Sequence, residues 1–252
     1  MLALEGIEKR FGALAALTGI DLEVAAGEVL GIVGPNGSGK TTLLNTVTGV
    51  YAPSSGRILF QGTDITGWKG HRIARLGIAR TFQNIRLFPS MTVFHNVWSA
   101  QHHLVAGGLL GLLRSLPTAG STDTKKVEAA LNQVGLLQDR EVLARHLPLP
   151  ARRRLEIARA LVVDAKLVLL DEPSGGMTPA ETADMAELIR EIVAPGRTCV
   201  VIEHKMALIA KACTRLCVLD FGRKIAEGSP GDVLADAAVR EVYLGADDGP
   251  DA

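Results

Sequence analysis

Aromatic side chains are scarce, at 4% of the 252 residues, which argues against a protein that binds single-stranded nucleic acid by stacking bases. Net charge is missing too: 27 Lys+Arg balance 27 Asp+Glu, so no global basic field exists to collect DNA or an anionic membrane. There are three cysteines, Cys199, Cys213 and Cys217, all late in the chain and without a CxxC pair. A disulfide scaffold is excluded, and core packing is the expected use of Cys213 and Cys217. The longest apolar run, residues 104–113 (LVAGGLLGLL), is about half of the roughly 20 residues a spanning helix needs. The opening MLALEGIEKRFG places Glu5, Glu8, Lys9 and Arg10 inside any would-be apolar stretch, so no signal peptide is expected. What remains is 47% apolar and 21% charged, the composition of a chain that buries a sizeable core.

Hydrophobic patterning predicts short strands at residues 2–7, 20–24, 29–33, 57–60, 167–170, 198–202 and 216–219. Helices are expected at 41–50, 127–137, 151–163, 182–193, 206–213 and 239–244. Residues 93–143 read as helical, broken by Gly107-Gly108 and by residues 117–121. Strands alternating with helices imply an α/β fold around a largely parallel sheet with both faces covered.

The strand at 29–33 runs into Gly34-Pro35-Asn36-Gly37-Ser38-Gly39-Lys40-Thr41, which is G-x4-G-K-[ST] between a strand and a helix. Glycines let the backbone curl so that successive N–H groups converge on phosphate oxygens, and the helix N-terminus adds partial positive charge. Lys40 is placed to reach the β- and γ-phosphates, and the Thr41 hydroxyl to ligate Mg²⁺. A second apolar strand, 167–170, ends in Asp171-Glu172. Asp171 is expected to hold Mg²⁺ through water and Glu172 to polarise the attacking water as general base. A solvated acidic turn before Pro173 is the alternative, which the phosphate loop upstream disfavours.

The order of this loop, Gln83, a helix at 151–161, Asp171-Glu172 and His204 resembles the ATP-binding subunit of ABC transporters over about residues 2–245. It is most similar to the ATPases of branched-chain amino-acid importers, through Lys9-Arg10-Phe11-Gly12, Ile78-Ala79-Arg80-Thr81-Phe82-Gln83-Asn84, Met91-Thr92-Val93, Arg153 to Ala160 and Ile202-Glu203-His204. The extended segment 107–121 and the closing Val242-Tyr243-Leu244-Gly245 also look like that subgroup. The resemblance implies a P-loop NTPase (RecA-like) core with an antiparallel β subdomain and an α-helical subdomain. Residues 1–92 and 160–245 would form the core and β subdomain, 93–159 the helical subdomain, and 246–252 a flexible tail. It also implies that Phe11 stacks on adenine, that Thr42 joins the phosphate loop, and that Gln83 contacts Mg²⁺ or the attacking water. His204 would touch the γ-phosphate. Core packing for Phe11, a polar turn for Gln83 and a structural histidine at 204 are the alternatives. His71, His95, His102, His103 and His146 match no functional motif, and His102-His103 reads as a solvated pair.

One motif departs from the family. A Leu-Ser-Gly-Gly-Gln-like signature should precede the Arg153 helix, but the chain reads Leu147-Pro148-Leu149-Pro150-Ala151. The hydroxyl is lost at Pro148, and neither proline has an N–H to donate. Leu149 sets a bulky side chain where phosphate should approach, while Pro150 still suits the start of a helix. The loop Ser174-Gly175-Gly176-Met177-Thr178 lacks its usual acid, and Lys205 stands where an acidic residue is common. Family subunits pair head to tail, with each nucleotide between one chain's phosphate loop and the other's signature. The expected partner is therefore a second ATPase subunit, in an asymmetric heterodimer. Membrane permease subunits should dock near Gln83 to Phe88, and a solute-binding protein acts indirectly, at the cytoplasmic face of the inner membrane. A non-transport ABC ATPase acting on DNA or ribosomes is one alternative, disfavoured because no fused cassette, long coiled-coil insertion or basic surface is read; no nucleic acid is expected. A regulatory subunit that holds ATP without hydrolysing it is the alternative from another class.

Overall fold

The computed structural model describes residues 1–101, 122–193 and 196–244. The apolar run at 104–113, the segment 107–121, His102-His103 and the tail 246–252 lie outside the described residues.

The strands are β1 (Leu2–Phe11), β2 (Leu14–Val24), β3 (Val29–Val33), β4 (Ser55–Phe60), β5 (Thr63–Asp64), β6 (Ile78–Arg80), β7 (Leu167–Asp171), β8 (Thr198–Ile202), β9 (Arg215–Asp220) and β10 (Arg223–Gly228). The helices are α1 (Lys40–Val47), α2 (Gly70–Arg75), α3 (Val93–Gln101), α4 (Thr122–Gln133), α5 (Leu149–Leu161), α6 (Pro179–Leu188), α7 (Met206–Ala212), α8 (Pro230–Ala235) and α9 (Ala237–Leu244). A 3-10 turn spans Ala144–His146, and a π-turn, Ile189–Val193, extends α6.

Two sheets form. The first is antiparallel, in the order β2-β1-β4-β5; the second runs β10-β9-β3-β8-β7-β6. In the second sheet β9, β3, β8, β7 and β6 are parallel, and β10 pairs antiparallel at the edge. Strands β3, β7 and β8 are buried along their whole length, as continuous apolar runs require when both faces are covered. Their period-2 alternation divides the side chains between two cores. Leu30, Ile32, Leu167, Leu169, Val200 and Ile202 face α1 and the antiparallel sheet. Val29, Val33, Val168, Leu170, Cys199 and Val201 face the core shared with α3 to α7. Cys213 and Cys217 are buried, the strand begins between them, and burial pushes both thiols up to about 12.

Several boundaries move from those the sequence predicts. The helix expected at 151–163 starts at Leu149, because Pro150 sits in its first turn, where a missing N–H costs nothing. The helix expected at 182–193 starts at Pro179 on a capping box between Thr178 and Glu181 and turns into the π-turn at Ile189. The helix expected at 127–137 spans Thr122–Gln133, and Gly135, at a positive φ of 73°, lies just past its end. The short strand β5 follows β4 and pairs back on its Leu59 and Phe60.

Candidate nucleotide site

The loop after β3 turns at once into α1. Gly34 takes a φ of 145°, and a Cβ there would stand 2.0 Å from the Leu219 carbonyl oxygen. Only glycine fits between the phosphate loop and β9. Gly39 is the N-cap of α1 in the left-handed region (φ 103°), and no side chain caps the helix. The first-turn N–H groups are therefore left for an anion, in the field of the helix N-terminus.

Lys40 is buried, and its Nζ donates to the carbonyl oxygens of Gly34 and Pro35, both at 2.7 Å. Burial lowers its pKa from the ordinary lysine value, and the carboxylates of Glu172 and Asp171 oppose that shift. A cavity of about 500 Å³ opens over the loop. Of the expected residues, Phe11, Asn36, Gly37, Ser38, Gly39, Lys40, Thr41, Thr42, Gln83 and Glu172 line it. Gly34, Pro35, Asp171 and His204 are not in its lining.

Phe11 is not in a core. It is 42% exposed at the cavity rim, with Tyr51 edge-on at 5.1 Å and Lys9 Nζ 5.0 Å above its ring. Across the cavity the Gln83 amide Nε2 donates to Glu172 Oε2 at 2.9 Å, so the two expected catalytic side chains already touch. Glu172 has a φ of 49°, a conformation rare for non-glycine residues and frequent at functional sites. Its N–H donates to Ile202 O at 2.9 Å, which fixes the acidic turn against β8.

Asp171 is 2% exposed and pairs with Arg80, whose Nη2 stands 2.8 Å from Oδ2. Arg80 Nη1 also donates to Asn45 Oδ1 (2.7 Å) and Thr48 Oγ1 (3.2 Å) at the end of α1. His204, two residues beyond β8, has an exposed ring 3.5 Å from Glu203 Oε1. Buried Glu203 accepts from Ser174 Oγ at 2.7 Å, while Lys205 Nζ donates to the carbonyls of Ser174 (3.0 Å) and Met177 (2.7 Å). Glu203 and Lys205 thereby tie the loop that follows Glu172 to the segment that carries His204.

Thr41 and Gln83 offer oxygens at the cavity of the kind a hard cation such as Mg²⁺ takes, while the Asp171 carboxylate, paired with Arg80 and outside the lining, is set back from them. Among the described residues no group of three or more His, Cys, Asp or Glu is arranged to hold a metal.

At the opposite end of the Gln83 segment, α5 starts on Pro148 as N-cap, with no side-chain cap. Leu149 is partly exposed, and a Cβ on Gly176 would stand 2.8 Å from its Cδ2. The substituted signature thus packs on its own chain's loop after Glu172. Two residues on, Arg153 is buried and donates to the carbonyls of Phe82 (3.0 Å) and Gln83 (2.7 Å). The signature helix therefore holds the Gln83 backbone. A second, mostly apolar cavity of about 560 Å³ lies beside it, with Arg80, Phe82, Arg86, Phe88 and Arg159 in its wall.

Arg80, Arg153, Glu203 and the β6 strand were not legible from the sequence as parts of the site. Buried charge is indistinguishable from surface charge until its partner is placed. The available signals were their places in the stretches that carry the resemblance: Arg80 before Thr81-Phe82-Gln83, Arg153 at the head of Arg153 to Ala160, and Glu203 before His204.

A model of the ABC transporter family matches residues 17–175, and a model described as branched-chain amino acid ATP-binding cassette transporter matches residues 223–249. The high-affinity branched-chain amino acid transport ATP-binding protein LivG of Escherichia coli K12 is 37% identical, over 97% of this chain and 98% of its own. BraF of Pseudomonas aeruginosa, with the same description, is 38% identical over 97% and 98%. Among solved structures, a nucleotide-free ATP-binding cassette from an ABC transporter superposes with a TM-score of 0.85 at 32% identity, covering 96% of this chain and 98% of its own. A cassette in its ADP conformation gives 0.86 at 32% identity, covering 97% and 98%.

Proposed function

The chain belongs to the ATP-binding subunits of ABC transporters, in the branch of the branched-chain amino-acid importer ATPases, and from that we propose that it powers uptake of branched-chain amino acids or related small polar solutes as one half of an asymmetric ATPase pair. It is an ATPase. No helix among the described residues is long and apolar enough to cross a membrane. Membrane partners would hold the chain at the cytoplasmic face of the inner membrane.

The juxtaposition of Gln83, Glu172 and Lys40 around one cavity carries the reading. In it, the phosphate loop from Gly34 to Thr42 binds the triphosphate and Phe11 meets the adenine. Lys40 turns its ammonium onto the β- and γ-phosphates. Glu172 accepts a proton from water as the water oxygen bonds to the γ-phosphorus and the bond to the ADP oxygen breaks. Gln83 orients that water, and His204 reaches the γ-phosphate from the end of β8. Thr41, Gln83 and Asp171 would hold Mg²⁺, which neutralises charge on the β- and γ-oxygens.

The start of α5 supplies the asymmetry. Pro148 and Pro150 have no N–H, and the Leu149 side chain is turned onto Gly176, so this chain offers few donors to a phosphate held by a partner. Loss of one such donor costs about 10²–10³ in rate, by analogy with oxyanion donors. A different ATPase subunit with an intact signature would complete this chain's site, and permease subunits would seat in the groove beside Gln83 to Phe88, with a solute-binding protein engaged through them.

Steady-state hydrolysis separates the readings. The chain alone should turn over ATP at least a hundredfold more slowly than an equimolar mixture with the second ATPase, and Glu172→Gln should silence the mixture. Rapid cooperative hydrolysis by the chain alone refutes the asymmetric pair. A mixture whose rate is unaffected by Glu172→Gln assigns this chain the regulatory, ATP-holding role instead, which its prolines favour.

A further inference from the structure

The turn between β9 and β10 has no explanation in the fold. Asp220 pairs with Arg223, so Phe221-Gly222 is a two-residue hairpin loop, and both residues have positive φ, 41° and 75°. Such turns favour Asn-Gly or Asp-Gly, because a Cβ is strained there. Here the first position is phenylalanine, and it is 85% exposed, more than any other large hydrophobic residue described. A strained backbone that presents a bare aromatic ring to solvent gains nothing for stability.

The turn is nonetheless held firmly. Gly222 N–H donates to Ser38 O at 3.0 Å, and Thr18 N–H donates to Gly222 O at 2.8 Å. A Cβ on Gly222 would come within 2.6 Å of Ala16 O, so the turn is wedged between β2 and the phosphate loop. Phe221 therefore has a fixed place relative to Lys40, and it lines the same cavity.

That cavity has two chemistries. Its floor is the backbone and cationic surface of the phosphate loop; its rim is apolar, with Phe11, Leu14, Ala15, Ala16 and Phe221. Phe11 is 42% exposed and Leu14 67%, so the apolar half of the cavity is open to solvent beside Phe221. We propose that Phe221 is a nucleotide-binding residue, whose ring covers the purine of ATP at the apolar rim while the floor takes the phosphates. This rests on the cavity being the ATP site, as argued above. The aromatic ring provides a face for a flat heterocycle, and the turn sets the backbone position from which the ring projects before the ligand arrives.

The test is calorimetric titration of the purified full chain and two variants with ATP, ADP and inorganic tripolyphosphate. Phe221→Asn places the residue this turn prefers, so the variant should melt at or above the wild-type temperature. Its ATP and ADP affinities should fall about tenfold, the scale of one lost base stack, and its tripolyphosphate affinity should not change. Phe221→Tyr should bind all three as the wild type does. Equal ATP affinity in Phe221→Asn overturns the proposal, including the case in which only association with another ATPase subunit changes. A parallel loss of tripolyphosphate affinity also overturns it, because the turn would then act through the phosphate loop. A wild-type chain that binds tripolyphosphate but gains nothing from the base overturns the proposal while sparing the phosphate site. A wild-type chain that binds none of the three removes the nucleotide reading as well.

Discussion

Replacing Arg80 with leucine should be among the most damaging single changes in this chain. The pair with Asp171 is almost dry: the two side chains are 7% and 3% exposed, and the nitrogen and oxygen stand 2.8 Å apart. Leucine would leave the Asp171 charge buried without its cation, and breaking a buried pair in this way costs about 3–5 kcal/mol. Contacts to Asn45 and Thr48 are lost with it, so the upper half of that range is expected. Urea unfolding followed by the fluorescence of Trp68 and Trp98 gives the measurement. Asp171→Leu alone should also destabilise, since Arg80 would then be the unpaired ion. The double variant should lose less than the sum of the two by about 2 kcal/mol, because residues in contact couple on that scale. If the two effects add to within about 0.5 kcal/mol, or Arg80→Leu costs less than about 1 kcal/mol, the pair is not what holds Asp171 in place.

Lys205→Met removes the donor shared by the Ser174 and Met177 carbonyls and should cost about 1–3 kcal/mol, with faster amide exchange in residues 174–178 as the diagnostic signal. Burial raises the Glu156 carboxyl above the usual carboxylate range, although Arg86 N–H and Arg153 donate to it. The folded chain therefore holds that proton more tightly than the unfolded one. Its contribution is full below the ordinary carboxylate pKa and is lost as pH rises through the raised value. The stability of Glu156→Gln relative to wild type should accordingly improve as pH rises above the ordinary carboxylate value; a flat difference contradicts this. At pH 8, Cys213 and Cys217, with thiols pushed up to about 12, should resist iodoacetamide in the folded chain and react in urea. Stoichiometric labelling without denaturant would show that the region opens readily.

What the sequence made legible follows from which physical signals are local. Residues 29–33 and 198–202 were placed to the residue, because an apolar, β-branched run bounded by turn residues has few other readings. The phosphate loop was legible because its function needs glycine at fixed spacing. Strand β10 was not found: most of its residues are exposed, and as an edge strand it shows no apolar alternation. Strand β6 is three residues long, shorter than any periodicity can register. The Arg153 clamp on Phe82 and Gln83 joins residues about 70 positions apart, and nothing local announces such a contact.

The resting place of Lys40 has a thermodynamic consequence. Its ammonium is already out of water and solvated by two peptide oxygens of its own loop, so folding rather than ligand capture strips its hydration shell. In the role proposed for Lys40, an entering polyphosphate would exchange these neutral dipoles for anionic oxygens at nearly constant dehydration. On that role, little of the cost of capture would come from stripping bulk solvent off an exposed cation.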